Sequence, residues 1–143
     1  MKFPSVIVTL ILTIITFSFS VHALTNINSC ANLTSAGEIY NLTMNIINSN
    51  NTICMNVSAD NVILNCNGRT IDGIDKDFST GIALTRGVKN FTLNNCIITD
   101  WYTGAYIYNS VNSLIKSSTF SSNKAKALWI RDSSFINITS NNF

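Results

Sequence analysis

The chain has 143 residues, with nine Lys/Arg against seven Asp/Glu and a single His. Setting aside Lys2 in the leader, eight cations face seven acids, so there is no strong field to gather polyanions, and nucleic acid is excluded as an expected partner. The one imidazole, His22, falls at the end of the leader, which removes Ser-His-Asp chemistry and His-ligated copper or zinc.

Lys2, an apolar run from Val6 to Phe17 and the small-residue ending Val21-His22-Ala23 have the three parts of a secretory signal peptide, residues 1–23. The run is shorter than the roughly 20 residues of a membrane span and is interrupted by Thr9, Thr13 and Thr16, so the chain meets a membrane only if the leader is not cleaved. The product is expected to be secreted or held at the cell surface, starting at Leu24, as one domain of about 120 residues.

Residues 24–58 carry short alternating runs at Ile39 to Leu42 and Ile53 to Val57. They read as an irregular N-terminal cap with the first strands of a solenoid, whose end must cover apolar side chains and strand edges. Residues 59–143 read as the coils. The block ADNVILNCNGRTIDG, Ala59 to Gly73, is the first, with Val62, Leu64 and Ile71 inward and Gly68 and Gly73 at turns; a polar insertion, residues 74–80, follows. Then GIALTRGVKNFTLNNC, Gly81 to Cys96, recurs as Gly104 to Thr119 and as Ala127 to Asn142, each 23 residues on. Within each copy apolar residues alternate, which is strand periodicity. Superposition puts Ile82, Ala105 and Leu128 in one column and Leu84, Ile107 and Ile130 in a second, all expected to be buried, with strands about 4.8 Å apart. The fold class is therefore all-β, a parallel β-helix of about four coils, and its last apolar strand stops uncovered at Phe143, as in a chain truncated at its C-terminus.

Four cysteines in an exported chain suggest two disulfides, with three connectivities available. Cys66 and Cys96 each end a short strand about one coil apart, and stacking brings them within disulfide reach; two buried thiols are the alternative. With that pair made, Cys30 and Cys54 form the other. The shared 23-residue offset also aligns Asn94 with Ser117 and Ser140, and Asn95 with Ser118 and Asn141, as turn-holding polar ladders. Six Asn-x-Ser/Thr sequons, at Asn32, Asn41, Asn50, Asn56, Asn90 and Asn137, offer glycosylation in a secreted product.

Two groups of side chains have chemistry to offer. The acids Asp72, Asp75 and Asp77, with Arg69 or Lys76 as a basic partner, would serve glycosidic cleavage or bind Ca²⁺, but Asp72-Gly73 equally makes a turn and Asp75-Lys76-Asp77 a solvated loop. No catalytic residue and no cofactor is assigned on that basis, calcium at the acidic group being the one alternative. If Ala105 and Ile107 point inward, Tyr106 and Tyr108 point outward, with Trp129 and Arg131 on them in the next coil and Trp101 and Tyr102 in the turn before. Flat aromatic faces beside a guanidinium suit stacking on sugar rings; mutual bracing of the same side chains is the competing account.

The run from SCANLTSAGEIYNLT through CMNVSADNVILNCNGRTIDG, then TGIAL, VKNFTLNNCIITD and the GAYIYNS and SSTFSSN half-repeats, resembles secreted right-handed parallel β-helix proteins of archaea and bacteria. These belong to the pectate-lyase-like superfamily, which includes carbohydrate-binding and sugar-hydrolase repeat domains and periplasmic copper-enzyme maturation factors. The resemblance covers nearly all of the chain after the leader and implies a right-handed coil. Its most specific part is the ADNVILNCNGRTIDG block, where the family usually has an acidic or similar polar residue at the place of Asn65 and often has His at the place of Arg69. The Asn-Thr-Asp, Asp-Asp, Gly-His-Gly and Arg-Ile-Lys motifs of polygalacturonases are absent. The expectation is a non-catalytic, extracytoplasmic β-helix that binds a polysaccharide or other cell-surface polymer or has an adhesin-like role, against the alternative of a lyase or glycoside hydrolase fragment.

Overall fold

The computed structural model describes residues 22–143, so the leader lies outside it except for His22 and Ala23. The elements, all strands, are β1 (Leu24–Ile27), β2 (Ala31–Leu33), β3 (Ile39–Leu42), β4 (Ile53–Val57), β5 (Ile63–Asp72), β6 (Thr80–Leu84), β7 (Thr92–Thr99), β8 (Thr103–Tyr108), β9 (Leu114–Lys116), β10 (Thr119–Ser121), β11 (Lys126–Arg131) and β12 (Asn137–Thr139). Their ladders are all parallel, and they build a three-sided solenoid. One face runs β1-β3-β5-β7-β9-β12, and another runs β2-β4-β6-β8-β11. The long strands β5 and β7 turn a corner where the register slips between Asn65 and Arg69, so their second halves form the remaining face with β10.

Five strands on the β2–β11 face mean about five turns, one more than the repeat suggested. The extra turn comes from the segment read as an irregular cap. There Ala31 and Leu33 pair in register with Met55 and Val57, and β1 pairs residue for residue with β3. Its composition hides the periodicity because Ala31 occupies the place that Met55 and Ile82 fill in the next two coils.

The inward columns match the alternation. Leu33, Val57, Leu84 and Ile107 stack in register and are fully buried, as are Met55, Ile82 and Ala105 beside them. Burial of each large side chain in such a column is worth about 1.5–3 kcal/mol. The last member departs from expectation: Ile130 sits on Ile107 but is 36% exposed, since no strand covers β11 among the described residues. On the third face Phe143 stacks on Phe120, with ring centroids 5.3 Å apart, continuing the line of Ile71 and Ile98.

Corners are made by stacked residues in the left-handed region. Asn67, Asn95, Ser117 and Ser140, with φ of 53°, 54°, 51° and 56°, turn the chain between two faces, as short polar side chains allow. The expected columns starting from Asn94 and Asn95 are thus off by one at their first step: Asn94 pairs with Lys116, and the Cys96 N–H donates to the Ser118 hydroxyl oxygen at 3.1 Å. The offset is 23 at Leu84 and Ile107 but 22 at Lys89 and Val111, so an extra residue lies in the Arg86-Gly87 turn. Amide ladders do form, at other places: Asn56 Nδ2 donates to Asn32 Oδ1 at 3.1 Å, Asn90 to Asn61 at 2.8 Å and Asn94 to Asn65 at 3.3 Å.

Both expected disulfides are present, Cys30–Cys54 and Cys66–Cys96, with Cα atoms 4.4 and 4.8 Å apart. Each joins one coil to the next. Paired thiols of this kind are consistent with an oxidising, extracellular setting.

Candidate functional site

The outward side of β8 and β11 brings Tyr106, Tyr108 and Trp129 together. Because side chains alternate, the residues between the inward pairs point outward, and the ladder places Ala83, itself covered, Tyr106 and Trp129 in one column and Tyr108 on Arg131 in the next. The Tyr106 and Trp129 rings are 4.9 Å apart and tilted by 44°, while Tyr106 and Tyr108 lie parallel at 6.0 Å. The Arg131 guanidinium carbon is 5.7 Å from the Tyr108 ring centre, and Lys126 Nζ stands 3.8 Å above the Trp129 ring. These contacts are the mutual bracing foreseen from the sequence. They leave area over, for Tyr108 and Trp129 are 37% and 38% exposed.

Trp101 does not belong to this surface. It is fully buried, with its indole N–H donating to the Ile71 carbonyl at 3.0 Å. The ring lies against Gly73 and Gly81, where an added Cβ would come within 2.9 and 3.0 Å of it. Tyr102 stays on the surface, and its partner is a residue the sequence reading passed over: Phe78, at 5.4 Å between ring centres. Phe78 sits among Asp75, Lys76, Asp77 and Ser79 and reads as loop, so no periodic signal marks it. It is 80% exposed and holds a φ of 60°, a left-handed conformation that costs a bulky residue about 1–2 kcal/mol. The loop is tied down on both sides of it. Ser79, buried, accepts the Tyr102 N–H on its hydroxyl at 3.2 Å, and its carbonyl accepts the Thr103 N–H at 3.0 Å. Asp77 pairs with Lys124 at 2.7 Å, and this partner holds the Lys124 ammonium above its ordinary pKa.

Phe78, Thr80, Tyr102, Thr103, Tyr106 and Trp129 line a cleft of about 220 Å³ between the loop and the sheet. Its walls are aromatic rings and its floor two threonines, a combination suited to a flat ligand with one apolar face and hydroxyl groups at its edge. A larger hollow of about 630 Å³ lies at the other end, lined by His22, Gly37, Glu38 and Asn61 among others. Its polar groups are already engaged, His22 Nδ1 with the Gly37 carbonyl and Glu38 with the Thr25 hydroxyl.

The acids are arranged otherwise than expected. Asp77 goes to Lys124, and Asp72 instead meets Asp100 of the next coil in hydrogen-bond contact. Burial, and then the neighbouring Asp100 and Asp75 carboxylates, push the Asp72 pKa above its ordinary value, although the Asn48 N–H, donating to Oδ2 at 2.8 Å, opposes this. Among the described residues no three His, Cys, Asp or Glu side chains converge as a metal site would require. Lys76 donates to the Asn50 carbonyl at 3.0 Å, and Arg69 is exposed on β5, in register with Cys96.

Residues 29–143 match the family model described as right handed beta helix region. No curated protein and no solved structure matches the chain.

Proposed function

Because the chain belongs to the right-handed β-helix family, we propose that it is an exported, non-catalytic module that binds carbohydrate on the aromatic face of β6, β8 and β11. The observation that carries this is the cleft between Phe78, Tyr102, Tyr106 and Trp129, where exposed rings border two threonines. Sugar rings offer apolar C–H faces to such walls and hydroxyls to the threonines and to Lys126 and Arg131 at the margin. The open ring of Phe78 at the edge of the cleft supports the same reading. The rigid solenoid fixes the spacing of the rings, so little ordering is needed when a polymer docks. The leader and the two disulfides support export.

The test is retention on immobilised acidic and neutral polysaccharides. Trp129→Ala and Tyr106→Ala are each expected to abolish retention while the folded content, followed by circular dichroism, is kept. Should both variants lose roughly 1–2 kcal/mol of stability while retention is unchanged, the rings only brace the sheet and the reading fails.

A further inference from the structure

The six sequons look alike as sequence, but the fold uses their amides differently. Asn41 stands in the ladder between Asn26 and Asn65, half-buried, with its Oδ1 enclosed and unpartnered. Asn56 is also half-buried; its Nδ2 is committed to Asn32, and its Oδ1 accepts the Thr85 hydroxyl at 3.1 Å. Asn90 holds a left-handed corner, with φ of 56°, through its 2.8 Å bond to Asn61. A glycan on the Asn56 or Asn90 nitrogen would break a ladder bond, and one on Asn41 would press against the neighbouring coils. Asn32 is exposed but is the acceptor of the Asn56 bond, and Asn137 lies inside β12 with its backbone N–H bonded to Ser113.

Asn50 is different. It lies outside every strand, in the connection between Ile46 and β4, and is exposed. Its side-chain amide has no hydrogen-bond partner among the described residues; only its carbonyl is engaged, by Lys76. Thr52, which completes the sequon, is exposed as well, and its carbonyl alone is used, by the Thr80 N–H.

We propose that Asn50 is an N-glycan attachment site, and that Asn41, Asn56 and Asn90 remain unmodified in the folded chain. The donor is an oligosaccharide carried on a lipid pyrophosphate. Asn50 Nδ2 bonds to the anomeric carbon as the bond from that carbon to the pyrophosphate oxygen breaks. One amide proton passes to a base of the transferring enzyme, and the lipid pyrophosphate leaves. The result is a neutral amide link to a bulky, water-ordering sugar at a position where the fold makes no competing use of the nitrogen. This inference stands apart from the aromatic face, since none of its residues lines that cleft.

The chain is to be exported from a host with an N-linked oligosaccharyltransferase, and the glycan released enzymatically in ¹⁸O-water, which marks each occupied Asn by conversion to labelled Asp. Peptide mapping of the disulfide-intact fraction is expected to find most of the label at Asn50 and none at Asn41, Asn56 or Asn90. Asn50→Gln and Thr52→Ala should each remove one glycan mass with the thermal midpoint of the deglycosylated protein unchanged. Disulfide-intact protein with Asn50 unlabelled, or with label at Asn41, Asn56 or Asn90, overturns the proposal. If export fails, purified folded protein incubated with the isolated transferase and a synthetic lipid-pyrophosphate donor gives the same readout.

Discussion

The indole N–H of Trp101 donates to the carbonyl of Ile71 one coil below it, at 3.0 Å, inside a seat walled by Gly73 and Gly81. The bond spans the corner where the 74–79 loop leaves the solenoid, so the residue that looked like part of the binding surface instead supports that surface from beneath. Trp101→Ala is expected to lower stability by about 3–5 kcal/mol through the cavity left behind. Trp101→Phe should cost about 1–3 kcal/mol by leaving the Ile71 carbonyl unpaired. Urea titration measures both, and an effect on ligand retention with stability unchanged would return Trp101 to the surface.

Ile107 and Ile130 occupy the same column one coil apart, yet one is 1% and the other 36% exposed. Ile107→Asp should therefore destabilise by about 4 kcal/mol or abolish folding, because a charge is left unpaired in the core. The identical change at Ile130 is expected to cost about 1 kcal/mol. Equal losses at the two positions would contradict the stacking order.

The Cys66–Cys96 bond closes a segment with a sequence separation of 30. Its removal in the Cys66→Ser, Cys96→Ser double variant is expected to cost roughly 3 kcal/mol, mostly through freedom regained by the unfolded chain. Non-reducing peptide mapping of the parent should show this pair and Cys30–Cys54, and four alkylatable thiols in folded protein would refute both.

Phe78→Gly separates binding from folding. The substitution relieves a left-handed φ at a cost saved of about 1 kcal/mol and loses an exposed ring pair of about the same size, so the net change in stability should be under about 1 kcal/mol. Retention on polysaccharide should fall at least tenfold. Unaltered retention would remove Phe78 from the site.

Asp72 gives the pH dependence. Its folded-state pKa lies above the ordinary carboxylate value, so between those two values the folded chain holds more protons than the unfolded one, and stability falls as pH rises through that window. Above the window the penalty is complete. Asp72→Asn, which keeps an oxygen to accept the Asn48 N–H, is expected to raise the thermal midpoint at pH 7, with the advantage shrinking on acidification through the window. A midpoint difference independent of pH would show that burial and the neighbouring Asp100 and Asp75 carboxylates do not raise the Asp72 pKa in the folded chain.

The fold was legible where one residue type recurs at one offset. Ile82, Ala105 and Leu128 declare their column because β6, β8 and β11 keep a constant spacing of 23. The neighbouring face slipped by one place because the Arg86-Gly87 turn carries an extra residue that leaves the apolar alternation undisturbed. The pairing of Tyr106 with Trp129 follows from the same alternation. The interior seat of Trp101 does not, because it depends on two glycines, Gly73 and Gly81, that are distant in sequence and show only as small residues. Phe78 was hidden for a related reason: a single aromatic between charges has no period, and its position comes from the Ser79 and Asp77 contacts on either side.

Both disulfides lie at or before Cys96 and tie successive coils, whereas residues 97–143 are held to their neighbours by non-covalent contacts, hydrogen bonds, packing and the Lys124–Asp77 ion pair. A molecule pulled by Leu24 and Phe143 would therefore yield unevenly. The later coils would peel away rung by rung, each residue lengthening the tether by about 3.5 Å, until extension reached Cys96. There the crosslink shorts the chain across to Cys66, and the segment between them stays slack however hard the ends are pulled. The wall formed by Tyr106 and Trp129 lies on the yielding side of that stop, so a load strong enough to unwind β8 and β11 would release the ligand before it broke the remaining coils.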